Sequence, residues 1–151
     1  MDALAYVIGQ EEAELKLLVT TLNEEQVALK TGNTDPLEKI TPTKNRHLES
    51  LARLGQQRNQ LLRSGRFAED REGLSGWAKA NGKEALVDNF LALADEAREL
   101  NRLNGQLIAL RLNSTQSALA ALTPHRASEH GLYGPKGQTK FSTGYRLIDT
   151  V

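Results

Sequence analysis

Cysteine is absent from the 151 residues. The chain therefore has no disulfide framework and no thiolate metal site, and it suits a reducing compartment such as the cytoplasm. Aromatic residues are scarce, at 5%, and the apolar remainder is mostly Leu and Ala, which builds helix seams better than β-sandwiches. Long apolar runs are missing too. No stretch approaches ~18 apolar residues, and no basic segment followed by an apolar core opens the chain, so neither a membrane span nor a signal peptide is expected. Nineteen basic residues balance nineteen acidic ones, which leaves no overall field to attract nucleic acid or anionic lipid. The length suits one domain.

The constellations that carry catalysis are also missing. Gly131 to Lys136 has neither the spacing of a phosphate loop nor its Lys-Ser/Thr ending. There is no Ser nucleophile elbow, and no His sits in a motif that pairs it with a base or an acid. His125 and His130 are five apart, which is not a same-face spacing, and no further ligand completes a metal set. The adjacent carboxylates Glu11-Glu12 and Glu24-Glu25 read as solvated helix charge. No enzyme, cofactor or metal is expected.

What is present is helical period. From Lys83 to Leu122, Leu86, Phe90, Leu93, Ala97, Leu100, Leu103, Leu107 and Leu110 recur every three or four residues, up to the stop at Thr123-Pro124. This is the longest predicted helix, a rod of roughly 60 Å around which the other helices pack. Upstream, Ile8, Leu15, Leu22 and Leu29 fall seven apart in a first helix, whose seam is interrupted by Glu11 and Glu25 and which ends at Gly32. Asp35-Pro36-Leu37-Glu38 predicts the start of a second helix, with Asp35 as cap and Glu38 closing a capping box. Leu37, Ile40, His47, Leu48, Leu51, Leu54, Leu61 and Leu62 form its apolar side, and Pro42 should kink it or delay its start. The short Thr31–Asp35 link makes these two helices antiparallel neighbours. Residues 1–30 carry six acids against two bases, and residues 31–66 seven bases against three acids, which favours docking of the pair. Residues 64–82 form a Gly-punctuated connector with a short helix around Trp77, read as a plug for one end of the bundle.

The expected fold is all-α: an elongated antiparallel bundle of three long coiled-coil-like helices with a short connector helix, over residues 1–122, and a flexible partner-binding tail, 123–151. The tail loses the helical period, turns at Tyr133-Gly134-Pro135, and has too few apolar groups (Phe141, Tyr145, Leu147, Ile148) to order itself unaided. The longest helix has a second stripe, Ile108, Leu112, Thr115, Leu119 and Leu122. Two shorter partners leave about ten residues of it as an overhang that a partner helix, a second copy, the first helix or the tail would cover. Asn101 and Asn104 set register in the bundle or touch the partner, and Gly105 permits close backbone approach.

Three segments carry a resemblance: Arg58-Asn59-Gln60-Leu61-Leu62, Asn101-Arg102-Leu103-Asn104-Gly105-Gln106-Leu107-Ile108, and Tyr133-Gly134-Pro135-Lys136-Gly137. With two long helices ahead of them, the chain resembles, over nearly its whole length, the FlgN family of flagellar type III export chaperones for hook-associated proteins. The resemblance implies a cytoplasmic chaperone that holds the helical C-terminal segments of the hook–filament junction subunits and delivers them to the membrane export gate and its ATPase machinery. It would touch the membrane apparatus only through protein, and nucleic acid would not be a partner. Carried over, Ile108, Leu112, Leu119 and Leu122 would line the substrate face, and Tyr133, Gly134 and Pro135 would dock at the gate; Asn104 and Thr115, on the same helix, are further partner-binding candidates. The competing expectation is a homodimeric coiled-coil adaptor that buries the second stripe against its own copy.

Overall fold

The computed structural model describes residues 2–122, which form four helices: α1 (Ala3–Thr31), α2 (Leu37–Ser64), α3 (Arg71–Asn81) and α4 (Glu84–Leu122). The fold is all-helical, with three long helices and one connector helix, as the period requires. The tail expected over 123–151, with Tyr133, Gly134 and Pro135, lies outside the described residues.

α1 starts where the Asp2 carboxylate accepts the Leu4 N–H at 3.1 Å, and stops at Gly32, whose φ of 79° only glycine adopts without steric cost. Its inward seam is Leu4, Ile8, Glu11, Leu15, Leu18, Leu22, Glu25 and Leu29, all buried at alternating three- and four-residue spacing. The predicted capping box of α2 does not form. No side chain caps this helix; instead Leu37 N–H bonds the Thr34 carbonyl at 3.0 Å and Lys39 N–H the Pro36 carbonyl at 3.2 Å. A turn of i→i+3 bonds thus satisfies the exposed donors without Asp35. The helix continues through Pro42.

At the far end of α2 the chain turns back. Phe67 N–H reaches the Leu62 carbonyl at 2.9 Å, and Arg66 takes the left-handed conformation, φ 63°. α3 is capped by the Asp70 carboxylate, which accepts the Gly73 N–H at 2.8 Å. A Cβ at Gly73 would fall 1.8 Å from the Ala68 carbonyl oxygen, so this close approach requires glycine. Leu74, Trp77 and Ala78 enter the core, and Trp77 fills it from the connector end, as its composition predicts.

α1, not α4, is the central helix. It packs along both α2 and α4, while α3 packs on α4. α2 and α4 meet through side chains, with the Arg58 guanidinium 5.3 Å above the Phe90 ring. Asn104 bonds the Leu22 carbonyl and Arg111 the Leu29 carbonyl, each pair 82 residues apart. α4 therefore runs parallel to α1 at constant register, in an up-down-up path.

The register of α4 differs from the predicted stripe. Its buried residues are Val87, Phe90, Ala94, Ala97, Asn101 and Asn104. Leu86, Leu93, Leu100, Leu103 and Leu107 flank this line half-buried, and Leu110 is 63% exposed. Small and amide side chains face α1, and the leucines close the seam from both sides.

Candidate functional site

Two buried ionic contacts fix the bundle from which the site projects. The Glu11 carboxylate bonds the Arg58 guanidinium, with both side chains almost fully enclosed. Glu25 accepts from Lys44 Nζ at 2.7 Å and from Asn104 Nδ2 at 2.9 Å, so a residue of α1 joins α2 to α4. The reading of Glu11 and Glu25 as solvated charges is thereby corrected. Burial raises the Glu11 pKa above the ordinary carboxylate value, and the charge and hydrogen bond of Arg58 act against it. One clue was available in the sequence: both glutamates continue the seam's spacing, each facing a net-basic helix. Their partners depend on the register of α2, which spacing alone does not give.

Asn104 is fully buried, and its Nδ2 also donates to the Leu22 carbonyl at 2.8 Å. It therefore belongs to the bundle interior and to register, away from the surface open to a partner. Asn101 is buried as well. At Gly105 an added Cβ would meet nothing within 4 Å, so the close approach anticipated there is not made.

The bundle's upper end is clamped by Arg111, which sequence reasoning missed. Its Nε and Nη2 donate to the Leu29 carbonyl at 2.9 and 2.7 Å, capping α1 from α4. The same register puts Thr31, the last residue of α1, level with Asn113 of α4. The remaining residues, 114–122, project roughly 13 Å beyond it. No charged residue lies between Leu112 and Leu122.

The second stripe begins beside this clamp and runs out along the projection. Ile108, Leu112 and Thr115 line a groove of about 300 Å³ with Leu29, Thr34, Leu37 and Thr41, and Arg111 and Glu25 supply its polar groups. Ile108 and Leu112 are half-buried and Thr115 is exposed. Leu119 is 38% and Leu122 79% exposed. Five of the predicted face residues thus lie along one side of α4, without Asn104. A second groove, on the other side of Arg111, is lined by Leu107, Leu110 and Ser114. A third, of about 670 Å³, lies between α1 and α2, lined by Val27, Ala28, Pro36 and Ile40.

This arrangement offers apolar surface and hydrogen-bonding groups for association. Among the described residues no group of His, Cys, Asp or Glu has a metal-holding arrangement, and no helix is long and apolar enough to cross a membrane.

Comparison with known proteins agrees with this architecture. The FlgN protein family matches residues 1–140. The flagella synthesis protein FlgN of Salmonella typhimurium is 32% identical over 147 residues, covering 94% of each chain. That of Escherichia coli K12 is 31% identical over 148 residues, 97% of this chain and 95% of the other. A crystal structure from Pseudomonas aeruginosa, assigned as a flagella synthesis protein of this type, superposes with a TM-score of 0.65 at 23% identity, over 72% of this chain and 88% of that one, and supports the fold. On the family match and the extent of these relatives, the chain belongs to the FlgN family of flagella synthesis proteins.

Proposed function

We propose that this chain is a cytoplasmic chaperone of flagellar type III export. It would bind the helical C-terminal segments of hook-associated proteins, prevent their premature assembly, and deliver them to the export gate. The observation that carries this reading is the projection of α4 beyond the end of α1, with Ile108, Leu112, Leu119 and Leu122 on one side. An amphipathic helix laid along that side would gain the apolar contact that α1 gives the rest of α4. Subunits awaiting export have apolar seams that seek any complementary helix, and the chaperone's stripe is a substitute that later lets go. Micromolar to sub-micromolar affinity, about −8 to −10 kcal/mol, meets both needs. Tyr133, Gly134 and Pro135 are assigned to docking at the gate.

Size-exclusion chromatography with light scattering tests the reading, on the protein alone and mixed with a hook-associated protein's C-terminal segment. Leu112→Asp/Leu119→Asp should remain folded and monomeric and lose the complex. A wild-type homodimer that dissociates in this variant, with no complex in the mixture, would make the stripe a self-assembly surface and the chain an adaptor.

A further inference from the structure

The groove beside Arg111 has a candidate occupant within the chain itself. Its floor is Leu29, Leu37, Ile108 and Leu112, and its charged groups are Arg111 and Glu25, of which the Glu25 carboxylate is already paired with Lys44 Nζ. The bonds to the Leu29 carbonyl use Nε and Nη2, and a guanidinium has further N–H donors in the same plane for a carboxylate. At about 300 Å³ it takes a few side chains rather than a whole helix. Leu147-Ile148-Asp149 has the complementary order, two branched apolar residues followed by an acid.

Length permits the contact. Leu122 lies roughly 15 Å along α4 from Leu112. Eighteen residues separate Leu122 from Phe141, enough to reach roughly 60 Å when extended. A tether of that size holds the segment at an effective concentration on the order of millimolar.

We propose that residues 141–149 dock into the groove formed by Leu29, Leu37, Ile108, Arg111 and Leu112, with Leu147 and Ile148 on its apolar floor and Asp149 against Arg111. Resting on the chaperone reading, the same contact regulates it: the segment occupies part of the substrate face until an exported helix displaces it. An intrinsic dissociation constant of ~0.1 mM against a millimolar effective concentration leaves about a tenth of the molecules open. The apparent affinity for a partner then falls about tenfold.

The absence of cysteine makes a direct test simple. Spin labels at Lys30→Cys, on an exposed position near the groove, and at Thr150→Cys report the distance between groove and segment in the full chain by pulsed electron resonance. A short-distance population is expected. It should disappear in Ile148→Asp and in Leu112→Asp, whose folding is checked by circular dichroism, and persist in Val27→Asp, which alters only the α1–α2 groove. No short distance in wild type, or one that survives Ile148→Asp or Leu112→Asp, overturns the docking. Binding of a hook-associated protein's C-terminal segment, measured by titration calorimetry, should tighten about tenfold in Ile148→Asp. An unchanged affinity with docking intact overturns the competition. If wild type and Ile148→Asp both fail to bind the segment, the chaperone reading and the competition fall together, and the distances still decide the docking.

Discussion

Removing Glu11 should destabilise the protein more than removing any single core methyl group. Glu11 and Arg58 are each 2% exposed, and the Arg58 guanidinium is enclosed by Glu11 and the Phe90 ring. Glu11→Leu leaves that cation buried without its anion, a loss of about 3–5 kcal/mol, a large part of the 5–15 kcal/mol typical of a domain. Arg58→Met leaves a carboxyl whose pKa burial already raises, now without the charge and hydrogen bond that lowered it. That carboxyl can escape the penalty by taking a proton. Its folded pKa lies above the unfolded one, so its contribution is fully present below the unfolded carboxylate pKa and is lost as pH rises through the folded pKa. Arg58→Met should therefore cost least near pH 5 and most near pH 8, whereas Glu11→Leu removes the titrating group, whose pKa is already raised in wild type, and should cost somewhat less as pH rises. Glu11→Leu/Arg58→Met removes both charges and should be within about 1 kcal/mol of wild type or more stable. Urea unfolding followed by circular dichroism reads these differences. With a slope of about 2 kcal/mol/M, a loss of 4 kcal/mol moves the midpoint by about 2 M. A double variant that loses as much as the two single losses together would refute the reasoning, because additive losses mean that the two charges are not energetically coupled.

Gly73→Ala should destabilise by more than about 1 kcal/mol, because its Cβ meets the Ala68 carbonyl oxygen and the α2–α3 turn must move. Arg66→Gly should stabilise by about 1 kcal/mol, since Arg66 holds a left-handed conformation that glycine adopts without penalty; thermal unfolding measures both. Leu122→Asp, at a position 79% exposed, should leave stability within about 0.5 kcal/mol. Its effect belongs in binding, where calorimetry with a hook-associated helical segment should show a loss that Val27→Asp does not.

The long helices were legible because their seams repeat every three or four residues over many turns, and Gly32 and Trp77 marked an end and a plug. Less legible was the order of packing. Counting leucines put Leu103, Leu107 and Leu110 on the inner line of α4, yet the line passes through Asn101 and Asn104. A buried amide is favourable only when a partner waits for it. Here the partners are the Leu22 carbonyl and Glu25, 82 and 79 residues away. The clamp from Arg111 to Leu29 spans the same 82 residues, and the pairing of Glu25 with Lys44, 19 residues apart, depends on the register of α2 against α1. At the start of α2 the residue types suggested a capping box, but backbone carbonyls of Thr34 and Pro36 supplied the acceptors first. The overhang could be anticipated by comparing helix lengths, and the structure places it in space, with Asn104 removed from its face.

Hydrogen exchange on the full chain, with and without a saturating hook-associated helical segment, tests the central claim most directly. The account predicts new protection concentrated in amides of residues 108–122, with the amides around Val27 and Ile40 unchanged. Protection centred instead on Val27 and Ile40, with residues 108–122 exchanging as in the free protein, would place the partner in the α1–α2 groove and contradict it.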